Sequence, residues 1–191
     1  LVAMSFQIAK STNLNSFFKN IYFILISFIS IGLINYLFEG GHLVYREIPV
    51  LITLIIFFQF ILGAFVSGLD AGKIYQTWPL MNQNFFPDDV LLVNYNSLLE
   101  FNNRSLIQFY HRNLAYLLIL YSLFLSFIIY KNKLLNLYRP LKIFIFILFL
   151  QAILGIFTLV SGINILLASL HQITGVLLVF SALNLYFFKA K

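Results

Sequence analysis

Four stretches of the chain are apolar for long enough to cross a bilayer, and none of them alternates with polar residues. They run at roughly 49–69, 106–130, 141–161 and 163–188. Each is close to the ~20 residues that a hydrocarbon core of ~30 Å requires of a helix. A fifth run, 20–37, is slightly short but carries no charge. Strands of a membrane barrel would alternate apolar and polar positions over about ten residues. The pattern therefore predicts an all-α integral membrane protein, with a four-helix bundle over 49–191 and one preceding helix within 1–48. Between the first two helices of the bundle lies a 36-residue polar and aromatic stretch, 70–105. Structureless loops of that length are uncommon and usually functional.

Lys and Arg orient the bundle. The connection 131–142 holds Lys131, Lys133, Arg139 and Lys142, the tail holds Lys189 and Lys191, and the turn 161–164 has no charge. Basic connections stay on the cytoplasmic or matrix side. This puts the C-terminus inside and the long loop outside, with Asp70, Asp88, Asp89 and Glu100, four of the six carboxylates. The setting is a bacterial plasma membrane or a mitochondrial inner membrane. Residues 38–48 fall inside on the same count. The stretch 1–19 reads as the end of a helix followed by a polar break, and the initial Leu suggests that an N-terminal part is missing.

Composition sharpens this picture. With 61% hydrophobic and 9% charged residues, a soluble enzyme is excluded, since ordinary domains are near 25% charged. The net charge of +6 is divided among the connections, which points to a bilayer and not to a nucleic acid. Without cysteine, disulfides, thiolate-held zinc and cysteine-held iron–sulfur clusters are excluded. No carboxylate lies inside the four spans, which argues against an ion-coupled transporter.

An internal repeat runs through the bundle. Gln59-Phe-Ile-Leu-Gly63-Ala-Phe65 and Gln151-Ala-Ile-Leu-Gly155-Ile-Phe157 share the pattern QxILGxF. Each lies in the outer half of an outward-running helix, and Ser-Gly follows shortly after. An inward-running helix then brings an early histidine, His111 in the first copy and His171 in the second. Two copies with the same orientation imply pseudo-twofold symmetry about the membrane normal.

If those helices enter the membrane near Ser105 and Ile163, the histidines lie six and eight residues in, about 9 and 12 Å deep. Polar groups at such depth usually face the bundle interior. Two readings stand for the pair: an interhelical hydrogen-bonding contact, or the two axial ligands of a heme iron whose equatorial positions belong to the porphyrin. Small residues one turn later, Ala115 and Gly175, leave room for a macrocycle on the second reading. Zinc is poorly served, because a catalytic zinc wants three protein ligands. His42 reads as a solvated loop residue. Arg112 has two roles open to it, snorkelling to head groups or pairing with a heme propionate. The aromatic loop around Asp70 and Trp78 reads as an interfacial belt or a lid over the outer heme edge.

Taken together, GAFVSGLDAGKIYQTWPLM (63–81), FFPDD (85–89), QFYHRNLAY (108–116), QAILGIFTL (151–159) and LASLHQITG (167–175) resemble the heme A synthase family, the CtaA-type cytochrome oxidase assembly proteins. The segments fall in family order over two-thirds of the chain and look most like the alphaproteobacterial or mitochondrial branch. The resemblance implies eight transmembrane helices in two pseudo-symmetric halves, each with a histidine pair, of which this chain is the C-terminal half preceded by the tail of the other. It implies that His111 and His171 hold a heme b iron, with Arg112 beside it. It further implies that the parent oxidises the C8 methyl of heme O to the formyl of heme A for oxidase assembly. The sequence shows no counterpart of the other histidine pair or of the glutamate implicated in substrate oxidation, so no catalytic residue is assigned. The partners implied are heme O, the bilayer, an unassigned electron-transfer partner, heme O synthase or oxidase-assembly proteins, and a second copy of the chain. Two rivals remain: a bis-histidine cytochrome b passing electrons from quinol, which leaves the DAG…TWPLM loop unexplained, and a non-redox assembly subunit.

Overall fold

The computed structural model describes residues 44–90 and 100–189. The apolar run 20–37, His42 and the rest of 1–43 lie outside the described residues. Among the described residues there are four long helices: α1 (Val44–Gly68), α2 (Arg104–Lys131), α3 (Leu135–Val160) and α4 (Ile165–Lys189). Each contains a segment long and apolar enough to span a membrane. A single 3-10 turn, Ala71–Lys73, opens the loop after α1. Among the described residues there is no strand, only an isolated bridge between Met81 and Asn84.

The helix ends follow from local chemistry. Asn103 caps α2, its side-chain oxygen accepting from the amides of Ser105 (3.0 Å) and Leu106 (3.1 Å). Asn164 does the same for α4 through Leu166 and Leu167. At the far end of α3 the amide of Ile163 reaches the carbonyl of Thr158 (2.9 Å) and that of Gly162 reaches Leu159 (3.2 Å). This is the paired bonding of a Schellman stop, with Gly162 in the left-handed conformation it needs (φ 74°). The same pairing closes α2, from Leu134 to Ile129 and from Lys133 to Tyr130, with Lys133 at φ 53°.

That second stop corrects a boundary. The sequence suggested a basic connection over 131–142, whereas the turn is only 132–134 and α3 begins at Leu135. A lysine occupies the place where glycine usually announces a helix end. Pro140, which reads as a breaker, sits inside α3, where it forfeits one backbone bond near the helix start. Arg139 and Lys142 are therefore helical residues.

Packing arranges the helices in a ring. α1 packs on α2 and α4, and α3 packs on α2 and α4, most extensively on α4. The two histidine-bearing helices, α2 and α4, thus stand across the diagonal. Ile52, Ile55, Leu118, Leu125, Ile129, Leu141, Phe144, Leu148, Leu178 and Leu185 fill the half of the bundle away from the long loop. A smaller cluster of Phe58, Leu62, Leu69, Ala71, Phe101 and Ile107 seals α1 to α2 at the loop end. Large apolar side chains also cover the outside, with Leu120, Phe146 and Phe180 each more than 60% exposed. An outer surface of that kind has lipid as its natural solvent.

The long loop lies over both hairpin ends. A Cβ added to Gly72 would meet Ile163 Cδ1 at 2.8 Å, and one added to Gly162 would lie 3.8 Å from Gln76 Oε1. Ile163 itself is held at φ 64°, an unusual conformation for a β-branched residue and costing on the order of 1–3 kcal/mol. Its side chain is seated against Gly72 in that conformation.

Candidate functional site

Each copy of the repeat builds the same three-residue unit. His111 is the eighth residue of α2 and His171 the seventh of α4, a difference of one ~1.5 Å rise. Gln59 and Gln151 each stand nine residues before the last residue of their helix, and Gly63 and Gly155 five before it. In both units the glutamine amide nitrogen lies 3.4 Å from the histidine Nε2. In both, the imidazole rests on the glycine: an added Cβ would be 3.3 Å from His111 Cε1 at Gly63, and 2.9 Å from His171 Cε1 at Gly155. The glycines of the repeat are therefore the floor on which the rings lie, a role the spacing alone did not reveal.

The two rings differ in their partners. Nδ1 of His171 is 3.1 Å from the backbone carbonyl oxygen of Gln151. An oxygen there accepts, so the proton sits on Nδ1 and the lone pair on Nε2. Thr174 donates to Gln151 Oε1, fixing that carboxamide. In the first unit Gln59 donates instead to the backbone carbonyl of His111, at 2.9 Å. The buried Nδ1 of His111, Oε1 of Gln59, Nε of Arg112 and the hydroxyl of Tyr116 have no hydrogen-bond partner among the described residues. Buried polar atoms without partners ask for an explanation, and here they gather on α1 and α2 around one histidine.

Small residues do not all serve a cavity. Gly175 was read as making room for a macrocycle, but its open face is occupied by the Phe60 ring and the Gln151 amide, 3.1 and 3.2 Å from an added Cβ. Arg112 makes contacts beyond either of its expected roles. Its guanidinium donates to the backbone carbonyls of Tyr75 (2.7 Å), Thr77 (2.9 Å) and Leu80 (3.4 Å), tying α2 to the loop. Gln108, one turn earlier, also donates to the Tyr75 carbonyl, at 2.8 Å. The Tyr75 hydroxyl donates to Asp89 (2.7 Å), and Ser105 donates to the other carboxylate oxygen (2.6 Å). Burial alone would raise the pKa of Asp89; the bonds from Ser105 and Tyr75 bring it below its ordinary value. Asp70 pairs with Lys73 at 2.8 Å, both exposed, and Trp78 is 45% exposed beside Pro79. Phe85 and Phe86 meet Phe109 edge to face.

The model of the COX15-CtaA cytochrome oxidase assembly protein family matches residues 38–183. The chain belongs to that family. Among similar proteins are a heme A synthase of Pelagibacter ubique, 44% identical over 71% of this chain and 39% of that protein, and one of Bartonella tribocorum, 35% identical over 78% and 42%. A third, from Wolbachia pipientis wMel, is 38% identical over 70% of this chain and 36% of its own length. The chain thus spans about two fifths of the length of the curated relatives it matches. No solved structure matches it.

The donor set of this family member suits one kind of metal group. Among the described residues, no three His, Cys, Asp or Glu side chains come together to hold an ion. His111 and His171 instead stand singly on α2 and α4, the two helices across the diagonal of the ring. Two single ligands are the demand of an iron already held by four porphyrin nitrogens, and His171 is in the tautomer that ligation through Nε2 requires.

Proposed function

We propose that this chain forms the heme b-binding half of a heme A synthase, with His111 and His171 as the axial ligands. One observation carries the reading: the Gln–Gly–His unit occurs twice, at matched depth, on helices that face each other across the bundle. The family membership and the relatives named heme A synthase support the wider activity, oxidation of the C8 methyl of heme O to the formyl of heme A. Heme b, when bound, would be held by His111 and His171 and would supply one-electron transfer. The chain's own residues present the two imidazoles, exclude water with the loop, and hold that loop through Arg112 and Gln108. Arg112 Nε, buried and unpartnered, is the atom left to meet a propionate. The C-terminus lies inside on this reading, which the basic residues of the α2–α3 connection and the tail support. Heme O, an electron acceptor and oxidase-assembly proteins are the partners this function requires.

The test is the optical spectrum of detergent-purified protein from heme-replete membranes. A low-spin heme b spectrum is expected, lost in His111→Ala and in His171→Ala. A colourless protein, or an unchanged spectrum in either variant, refutes the ligand assignment.

A further inference from the structure

Resting on that reading, we infer that the two ligands are held unequally: His171 is the anchored one and His111 the exchangeable one, with Gln151 positioning His171 through its backbone carbonyl and Thr174 fixing the Gln151 side chain beside the same ring. A ligating histidine almost always donates its second N–H to a carbonyl, a carboxylate or water, and losing that partner typically costs ~10–100-fold in metal affinity. His171 has such a partner, the Gln151 backbone carbonyl at 3.1 Å. His111 has none, its Nδ1 being buried without one.

Two corresponding positions also differ, and they set how the glutamine side chain beside each ring is held. Three residues after His171 stands Thr174, whose hydroxyl holds Gln151 Oε1; three after His111 stands Leu114, which has no hydroxyl. The next residue is Gly175 in α4, where the Gln151 amide lies 3.2 Å from an added Cβ, and Ala115 in α2. Gln59 therefore finds neither the donor nor the same room, and turns its amide to the backbone oxygen of His111 at 2.9 Å. Exchanging the amide nitrogen and oxygen of Gln59 would set two oxygens at that distance, so the His111 carbonyl itself keeps Gln59 Oε1 turned away and unpartnered.

The experiment uses the protein purified from heme-replete membranes, with imidazole as the added ligand and apomyoglobin as the heme acceptor. His111→Gly should keep its heme b and regain the low-spin spectrum on adding imidazole. His171→Gly should retain at least ~10-fold less heme under the same conditions. Thr174→Val, which removes only the hydroxyl, should release heme to apomyoglobin ~10-fold faster, whereas Leu114→Val, with no hydroxyl to lose, should not. Equal retention in the two glycine variants, or the reverse order, overturns the inequality. Wild-type release from Thr174→Val overturns the positioning role, even if His171→Gly fails to accumulate. Glycine variants that both keep the wild-type spectrum show instead that these histidines are not ligands, and overturn the inference together with the reading beneath it.

Discussion

Adding one methyl group at Gly155 should separate the stability of the bundle from the geometry of its site. The new Cβ would lie 2.9 Å from Cε1 of His171, 3.3 Å from Nδ1 and 3.5 Å from Nε2. The ring must retreat by about 0.5 Å before ordinary van der Waals separation is restored. Its Nδ1 bond to the Gln151 carbonyl is already 3.1 Å, so little retreat is tolerated before that bond is lost. Overpacking of this kind costs ~1–3 kcal/mol. Replacing glycine by alanine inside a helix returns about 1 kcal/mol, leaving a net loss of roughly 0–2 kcal/mol. At Gly63 the added Cβ sits at 3.3 Å from His111 Cε1, a few hundredths to tenths from ordinary contact. There the helix term wins, and Gly63→Ala should be neutral or more stable by up to ~1 kcal/mol. The assay pairs thermal unfolding in detergent with the visible spectrum. Gly155→Ala should lose the low-spin signature while remaining folded, and Gly63→Ala should keep it. A wild-type spectrum in Gly155→Ala at wild-type or higher stability would refute the packing argument.

Three further outcomes follow from the loop and the topology. Arg112→Ala should loosen the loop, measured as faster amide exchange over 75–80; a charge-assisted bond such as that to Tyr75 contributes ~1.5–3 kcal/mol, the exposed ones less. Arg112→Lys should restore only part of this, because one ammonium cannot span three carbonyls as a guanidinium fork does, and full restoration would contradict the fork. The depressed pKa of Asp89 means that its contribution is present above the unfolded value near 3.8 and is lost as pH falls through the lower folded one. Trp78 fluorescence should therefore change in that acid range in the wild type and not in Asp89→Asn; an unchanged titration in the variant would exclude Asp89 as its source. Finally, a single cysteine at position 136, on this cysteine-free background, should be labelled by an impermeant reagent only from the inside, and labelling from outside would reverse the proposed orientation.

Much of the scaffold could be read from the sequence because lipid imposes a simple rule, long apolar helices or nothing. The start of α3 escaped that rule because Lys133 adopts a left-handed stop without glycine and Pro140 sits within a helix. The histidines and the QxILG pattern stood out because they occur twice. What Gln59, Gln151, Gly63 and Gly155 do was hidden, since a ring lying on a glycine depends on rotamers and helix spacing. The partners of Arg112 were harder still to foresee. They are backbone carbonyls more than thirty residues away, and a carbonyl belongs to every residue and leaves no mark in a sequence.

The ring order of the helices has a consequence for assembly. α1 with α2, and α3 with α4, are hairpins that can each satisfy their backbone bonds on entering the bilayer. They are joined to one another where α1 meets α4 and where α2 meets α3, more lightly than the helices within each hairpin, and where the long loop meets the turn between α3 and α4. Anything gripped from both ends of the α2–α4 diagonal would act as a cross-brace between the hairpins. By mass action, a bound group that prefers the closed ring stabilises it by RT ln(1 + [L]/Kd), about 2.7 kcal/mol at a hundred times Kd. Supply of that group would then govern how much of the protein persists as a closed bundle, and starvation for it would be felt first as hairpins that drift apart.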